Sequence, residues 1–267
     1  MTDYSSVRKA VESMDAVIHL AAVIPPLSEI KPDLAIAVNV NGTRNIIKAM
    51  EELNVRRLVY TSSVAVYGDR RGSVWIKRTD PVTLNPPDTY TRTKIECERI
   101  IKSSNLDWTI FRIGAVFIKS FNIDLNTVKT ALMMPLNTSL EWISAEDCAQ
   151  GLVESLNHSE LVKQVFNLGG GRCRIVFEDF LKHVLPLLGY PLDLLPVEAF
   201  ESGVSHGGFF DEEESKLLAG ILRHQNTTLE DYYQSIRGTI SPFRKWIRRA
   251  YTTLLKPVLR SYLKKLT

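Results

Sequence analysis

The sequence predicts an α/β fold organised on a doubly wound parallel sheet, and three observations predict it. Ala16 to Ala21 is an apolar run without alternation, as in strands covered on both faces. Leu58 to Ser63 is a second such run that ends in three hydroxyl residues, and Trp108 to Phe117 reads as the next strand. Helical patterns stand between them, from about Pro32 to Leu53 and from Asp88 onward, and strands alternating with helices build parallel sheets. With 267 residues, 45% hydrophobic and 24% charged, the chain can bury a sizeable core, as one large domain or a domain with a subdomain.

Taken in order, Ser5 to Met14 reads as a short helix and Ala16 to Ala21 as a fully buried strand. The small Ala21 and Ala22 at its end let a ligand approach the backbone. The 32–53 helix offers Ala35, Val38, Ile46, Ile47 and Met50 as a core face. The polar loop Asp69 to Thr89, with Pro81, Pro86 and Pro87, runs over the surface and borders the site. The helix from Asp88 packs through Ile95, Ile100 and Ile101. Ser144 is placed as an N-cap with Asp147 at the third position. Gln164 to Leu168 is a strand closed by three glycines that open no helix, so they are not a phosphate loop. Phe177 to Leu188 has the spacing of an amphipathic helix, and Thr228 to Tyr233 begins a last docking helix. His206, beside two glycines and two aromatics, either lines the substrate mouth or forms a structural turn.

The chemistry centres on Tyr90 and Lys94. At i and i+4 they share a helix face, and a nearby lysine cation favours the phenolate, moving a tyrosine from about 10 toward the working pH. Tyr90 is then a general acid or base. Ser63, at the carboxyl end of a strand where open α/β sheets bind ligands, is placed to hydrogen-bond the oxygen whose proton Tyr90 handles. A lone Tyr-x-x-x-Lys is usually a solvated helix face. Four blocks in order are more specific: Asp15 to Ala22, Asn39-Val-Asn-Gly-Thr43, Thr61 to Gly68, and Tyr90 to Lys94. Together they resemble the extended short-chain dehydrogenase/reductase superfamily, the group of NAD-dependent epimerases and dehydratases.

The resemblance implies a Rossmann-like sheet domain over 1–170, a small C-terminal substrate subdomain over 171–240 with 118–145 contributing, and a tail over 241–267. It implies Ser63, Tyr90 and Lys94 as catalytic residues, Lys94 holding the ribose. Ala21, Ala22, Asn39, Thr61, Tyr90, Lys94, Ile113 and Val116 are the implied contacts of NAD or NADP. For Asn39 a structural hydrogen bond competes with that role. Ile118-Lys119 stands where the family has Gly-Pro, which weakens Ile113 and Val116. The family places two strands and a Gly-x-x-Gly-x-x-Gly turn ahead of the first strand, but no glycine precedes Gly42, so the reading is an N-terminally truncated fold. Asp3 is a remnant of an adenine-contacting motif or an ordinary N-cap.

The implied function is oxidoreduction or epimerisation at a hydroxyl or carbonyl carbon of a nucleotide sugar or other small substrate. A 4,6-dehydratase is argued against, because Ser63-Val64-Ala65 replaces that group's Thr-Asp-Glu. The alternatives are a non-catalytic or cofactor-binding-deficient module of the family, and a membrane-peripheral reductase of a lipid-like substrate.

Cys97, Cys148 and Cys173 form no Cys-x-x-Cys pair and read as reduced thiols, giving neither a disulfide frame nor a metal site. With no signal peptide and no run of 18 apolar residues, a cytoplasmic protein is expected. The net charge of +3 hides an asymmetry: Arg244, Lys245, Arg248, Arg249, Lys256, Arg260, Lys264 and Lys265 stand in the tail with no acid. Without those eight the body has 25 of the 33 basic residues against 30 acidic ones, a net of −5. Phe243, Ile247, Ala250, Leu254, Val258 and Tyr262 share one face of the tail, which Pro257 breaks near residue 256. Such a helix suits an anionic membrane surface, the protein's own acidic body or a second subunit. Nucleic acid is not an expected partner. Chains of this fold commonly pair through two long helices, so a homodimer is admitted.

Overall fold

In a computed structural model that describes residues 1–71, 73–84, 88–117, 128, 131–200 and 206–263, four parallel strands form the central sheet. They are β1 (Ala16–His19), β2 (Arg57–Ser63), β4 (Asp107–Ile113) and β7 (Gln164–Leu168), in spatial order β1-β2-β4-β7. Leu58 stands level with Val17 and Trp108, which sets the register. Several residues named above, Pro86, Pro87, Ile118, Lys119, Lys264 and Lys265, lie outside the described residues.

Side-chain alternation along β2 and β4 builds the two halves of the core. Leu58, Tyr60, Trp108 and Ile110 face the helices α1 (Tyr4–Val11), α4 (Gly42–Glu52) and α5 (Thr89–Lys102), packing on Val7, Ile46, Met50, Cys97 and Ile101. Val59 and Phe111 face the other way, onto Leu152 of α6 (Ala145–Glu154) and Leu218 and Leu222 of α8 (Glu212–Leu222). Helices on both faces make the sheet doubly wound, as expected.

Three local expectations need correction. The first strand was expected to run to Ala21 fully buried. It ends at His19, and Ala16, Val17 and Ile18 are only half-buried, because β1 is an edge strand with a neighbour on one side only among the described residues. The 32–53 helix is not uniform: α3 (Pro32–Ala35) passes through a π-helical turn, Ile36–Asn41, before α4. The strand 108–117 is two strands, since Gly114 turns the chain out of the central sheet into β5 (Ala115–Phe117). A Cβ on Gly114 would lie 2.4 Å from the Glu141 carbonyl oxygen, so the crossing needs glycine there.

β5 pairs in parallel with β6 (Ser139–Ser144), which pairs antiparallel with β8 (Arg174–Val176). This second sheet carries an aromatic core in which Phe117, Phe177, Phe180, Tyr232 and Tyr233 pack between β5, α7 (Phe177–Leu187) and α9 (Leu229–Thr239). Ser144 caps α6 as expected, its Oγ accepting from the Asp147 N–H at 3.0 Å. Asp3 caps α1, accepting from the N–H groups of Ser5 and Ser6. β3 (Trp75–Ile76) pairs with β9 (Phe209–Phe210). The helix from Thr228 is not the last: α10 (Pro242–Leu254) and α11 (Lys256–Leu263) follow, parted at Leu255 just before Pro257. Several of their apolar residues face out. Phe243, Trp246, Leu254 and Val258 are exposed, while Arg248, Lys256 and Arg260 reach back to the body.

Candidate active site

The carboxyl end of β2 and the first turns of α5 meet at one place. Asp88 caps α5, its Oδ1 accepting from the Thr91 N–H at 2.7 Å. A second carboxylate closes the same helix end from α2 (Leu27–Ile30): Glu29 accepts from the N–H groups of Thr89 at 2.9 Å and Tyr90 at 3.1 Å. Two carboxylates on the free amides of a helix N-terminus satisfy donors that have no partner within the helix and match the positive end of its dipole. Burial raises the Glu29 carboxyl, but the hydrogen bonds outweigh it and hold it below its ordinary value.

Tyr90, Ser63 and Lys94 come together there. The Ser63 hydroxyl is near enough to Tyr90 to favour its phenolate, and the Lys94 Nζ lies 5.8 Å from the centre of the Tyr90 ring. Lys94 is buried and donates to the Thr61 carbonyl at 2.7 Å. Lys94 was expected to draw Tyr90 down toward neutrality. Instead Tyr90 is raised above 10.0, because burial disfavours the phenolate and Asp88 adds to it, while Ser63 only partly offsets the effect. Lys94 is itself lowered to about 8 by burial. Its Nζ is directed at a carbonyl, and no carboxylate forms an ion pair with it among the described residues.

The remaining candidates fall around this centre. Ala21 is exposed and Ala22 half-buried just past β1, leaving the backbone approachable. The Thr61 hydroxyl donates to the His19 carbonyl at 3.2 Å, joining the ends of β1 and β2. Asn39 is buried, accepts from the Val23 N–H at 2.7 Å, and donates to the Val23 carbonyl and the Thr93 hydroxyl. It therefore shapes the turn after β1 and ties it to α5. Ile113 and Val116 flank Gly114, Ile113 half-buried and Val116 exposed. His19 is buried against the Thr43 hydroxyl at 2.9 Å and is lowered to about 3 by burial and by Lys94, so it is neutral at physiological pH. His206 sits with Nε2 3.3 Å from Asp88, against the cap of α5.

Sequence reasoning missed the support behind the site. Glu98, one turn beyond Lys94, is buried and accepts from Ser62 at 2.7 Å, from Arg112 at 2.9 and 2.8 Å, and from Lys102 at 2.8 Å. Arg112 also donates to the Tyr67 hydroxyl at 2.8 Å, which donates to Asn167 at 2.6 Å. This chain of charge-assisted bonds ties α5 to β2, β4 and β7 and fixes the helix that carries Tyr90 and Lys94. Glu98 four residues after Lys94 and four before Lys102 was the available signal, but an i,i+4 spacing alone does not show burial.

The 3-beta hydroxysteroid dehydrogenase/isomerase family model matches residues 1–117. The Arabidopsis thaliana 3beta-hydroxysteroid-dehydrogenase/decarboxylase isoform 2 is 36% identical over 107 residues, 39% of this chain and 18% of that protein. Among solved structures, the dTDP-glucose 4,6-dehydratase DesIV from Streptomyces venezuelae, with NAD and TYD bound, superposes with a TM-score of 0.74 at 18% identity, covering 100% of this chain and 80% of that one. Over residues 1–117 the chain is thus similar to the 3-beta hydroxysteroid dehydrogenase/isomerase family, and its Rossmann-like α/β fold is that of the dehydratase and epimerase structures it superposes on. A second superfamily structure, the UDP-glucose 4-epimerase of Thermotoga maritima with UDP-glucose, gives a TM-score of 0.70 at 16% identity over 95% of this chain and 83% of that one. A protein of Sinorhizobium fredii, y4nG, is 26% identical over 196 residues, 68% of this chain and 48% of its own length. The chain thus spans about half or less of the curated relatives it matches. Among the described residues no cluster of His, Cys, Asp and Glu is arranged to hold a metal, and no helix is long and apolar enough to cross a membrane.

Proposed function

We propose that the chain carries the reacting site of an NAD(P)-dependent oxidoreductase or epimerase acting on a carbon that bears a hydroxyl or carbonyl. The observation that carries this reading is Lys94, a buried lysine with no carboxylate partner among the described residues, set beside a Tyr–Ser hydroxyl pair. A buried charge left without a counter-ion costs stability and is retained where it serves a ligand.

The reacting end of the site fits a nicotinamide ribose: Ala21 and Ala22 leave the backbone open, and Lys94 supplies a buried donor. The pyrophosphate end differs, because these 267 residues hold no glycine before Gly42 and so no glycine-rich turn ahead of β1. When bound, NAD or NADP supplies the hydride donor or acceptor. Tyr90 gives a proton to the substrate oxygen or takes one from it, and Ser63 hydrogen-bonds the same oxygen and orients it. Lys94 lies one turn from Tyr90 with its ammonium at the Thr61 carbonyl, and it would be the donor for ribose hydroxyls. Val64 and Ala65 bring no carboxylate to the end of β2, which argues against eliminating water.

The relatives include a hydroxysteroid dehydrogenase and the fold neighbours include nucleotide-sugar enzymes, so both substrate classes belong in a screen. The test is nicotinamide absorbance with a 3β-hydroxysteroid and with UDP-glucose, in a form of the protein that binds the dinucleotide and in its Tyr90→Phe variant. Loss of about a hundredfold or more in kcat/KM with dinucleotide affinity retained supports the assignment. An equally active Tyr90→Phe overturns it. A second reading, a cofactor-binding-deficient module of the superfamily, is the one left if no dinucleotide binds in any form.

A further inference from the structure

The last two helices are seated on the body by three basic side chains and by Leu263, which packs with Leu132 and Ala199. Arg248 donates to the Leu188 carbonyl at 3.0 Å and lies over the Tyr190 ring, Arg260 donates to the Asp193 carbonyl at 2.8 Å, and Lys256 pairs with the Asp193 carboxylate. Thr252 and Leu263 are the buried contacts. The opposite side is an apolar stripe in solvent: Phe243 is 69% exposed, Trp246 67%, Tyr251 60%, Leu254 79% and Val258 67%. Its spacing follows one helix face across the break at Leu255.

Charge decides what fits this face. Arg244 and Arg249 flank it, are exposed, and have no ion-pair partner among the described residues. No Asp or Glu stands anywhere in 241–267. A second copy meeting this face across a two-fold axis would bring the same patch against itself, and with it the arginines of both chains. An anionic headgroup layer instead neutralises the arginines while the interface takes up the Trp, Tyr and Leu side chains. With 13 and 8 residues the helices are too short to cross a bilayer.

We propose that α10 and α11 form an interfacial element that lays its apolar face on an anionic lipid bilayer. The body then hangs from the membrane through Arg248, Lys256 and Arg260, the three bases that the fold already uses as its anchor.

Vesicle flotation of the full chain tests this, with phosphatidylcholine alone and with about one third phosphatidylglycerol. The anionic vesicles are expected to bind the chain at least about tenfold more tightly, less so as salt rises. Trp246→Ser with Leu254→Ser, and separately Arg244→Glu with Arg249→Glu, are each expected to lower binding about tenfold or more. Thermal unfolding stays unchanged, since these side chains are outside the core. Leu217→Ser, at an exposed leucine on α8, leaves binding unaltered. The proposal is overturned if neither vesicle floats the chain, or if the stripe variants float as well as the native chain. It is also overturned if sedimentation shows a dimer that Trp246→Ser dissociates in a chain that binds no vesicle.

Discussion

Replacing Glu98 by Gln keeps the shape of the side chain and removes its charge from the network that holds α5. Burial alone pushes the Glu98 carboxyl up, but the hydrogen bonds and charge of Arg112, with those of Lys102, bring it from 4.5 down to about 2. Because the folded value lies below the unfolded one, the carboxylate stabilises the fold above about pH 4.5, and that stability is lost as pH falls toward 2. A drop of this size corresponds to about 3 kcal/mol at neutral pH. Glu98→Gln also leaves the buried Arg112 guanidinium without its counter-charge, and breaking a buried pair in this way costs about 3–5 kcal/mol. Urea unfolding of both proteins at about pH 7 and about pH 2.5 reads the difference directly, since acid loss from other carboxylates is common to the two. The expected gap is about 3 kcal/mol or more at neutral pH, shrinking to under about 1 kcal/mol in acid. A gap of the same size at both pH values, or none at neutral pH, refutes the claim that this carboxylate is charged and holding the helix.

Lys94 titrates in the opposite sense. Its folded value is lowered to about 8 from 10.5, so the charged lysine opposes folding below about pH 8, and that cost is relieved as pH rises toward 10.5. Observed by NMR at its side-chain carbons, Lys94 is expected to titrate near 8, and a midpoint at or above 10.5 contradicts the burial described here. Gly169→Ala places a Cβ 2.3 Å from Glu141 Oε1 and 2.7 Å from the Phe210 ring. The Glu141 carboxylate cannot withdraw, because Arg174 and the N–H groups of Gly171 and Phe210 hold it. A loss of about 2 kcal/mol or more in urea unfolding is expected, and a neutral substitution shows that the contact relaxes.

Much of the framework was legible because it is local. The strand ending in Thr61, Ser62 and Ser63, the helix carrying Tyr90 and Lys94, the Ser144 cap and the Phe177 to Leu188 packing face all follow from short-range pattern. What the pattern could not show depends on where elements lie in space. Val17 and Ile18 have the composition of a buried strand, but edge position leaves them half-buried. Glu29 and Tyr90 are joined only because α2 folds back on the start of α5. The tail's apolar stripe was readable, but not which side meets the body. Asp193, an acid more than 50 residues away, pairs with Lys256 on the side of the tail that meets the body. The raised Tyr90 reflects the same limit, since a spacing of four gives proximity but not the direction in which the lysine points.

The central claim is that this Ser–Tyr–Lys arrangement serves a nicotinamide dinucleotide. Its most direct test is a fluorescence titration with NADH and NADPH of the 267-residue chain and of a form extended upstream to an in-frame Gly-x-x-Gly-x-x-Gly turn. The account predicts that the extended form binds, that Lys94→Met in that form weakens binding, and that the shorter chain binds poorly for want of the phosphate cradle. Failure of the extended form to bind either dinucleotide, or binding that Lys94→Met leaves unchanged, contradicts it.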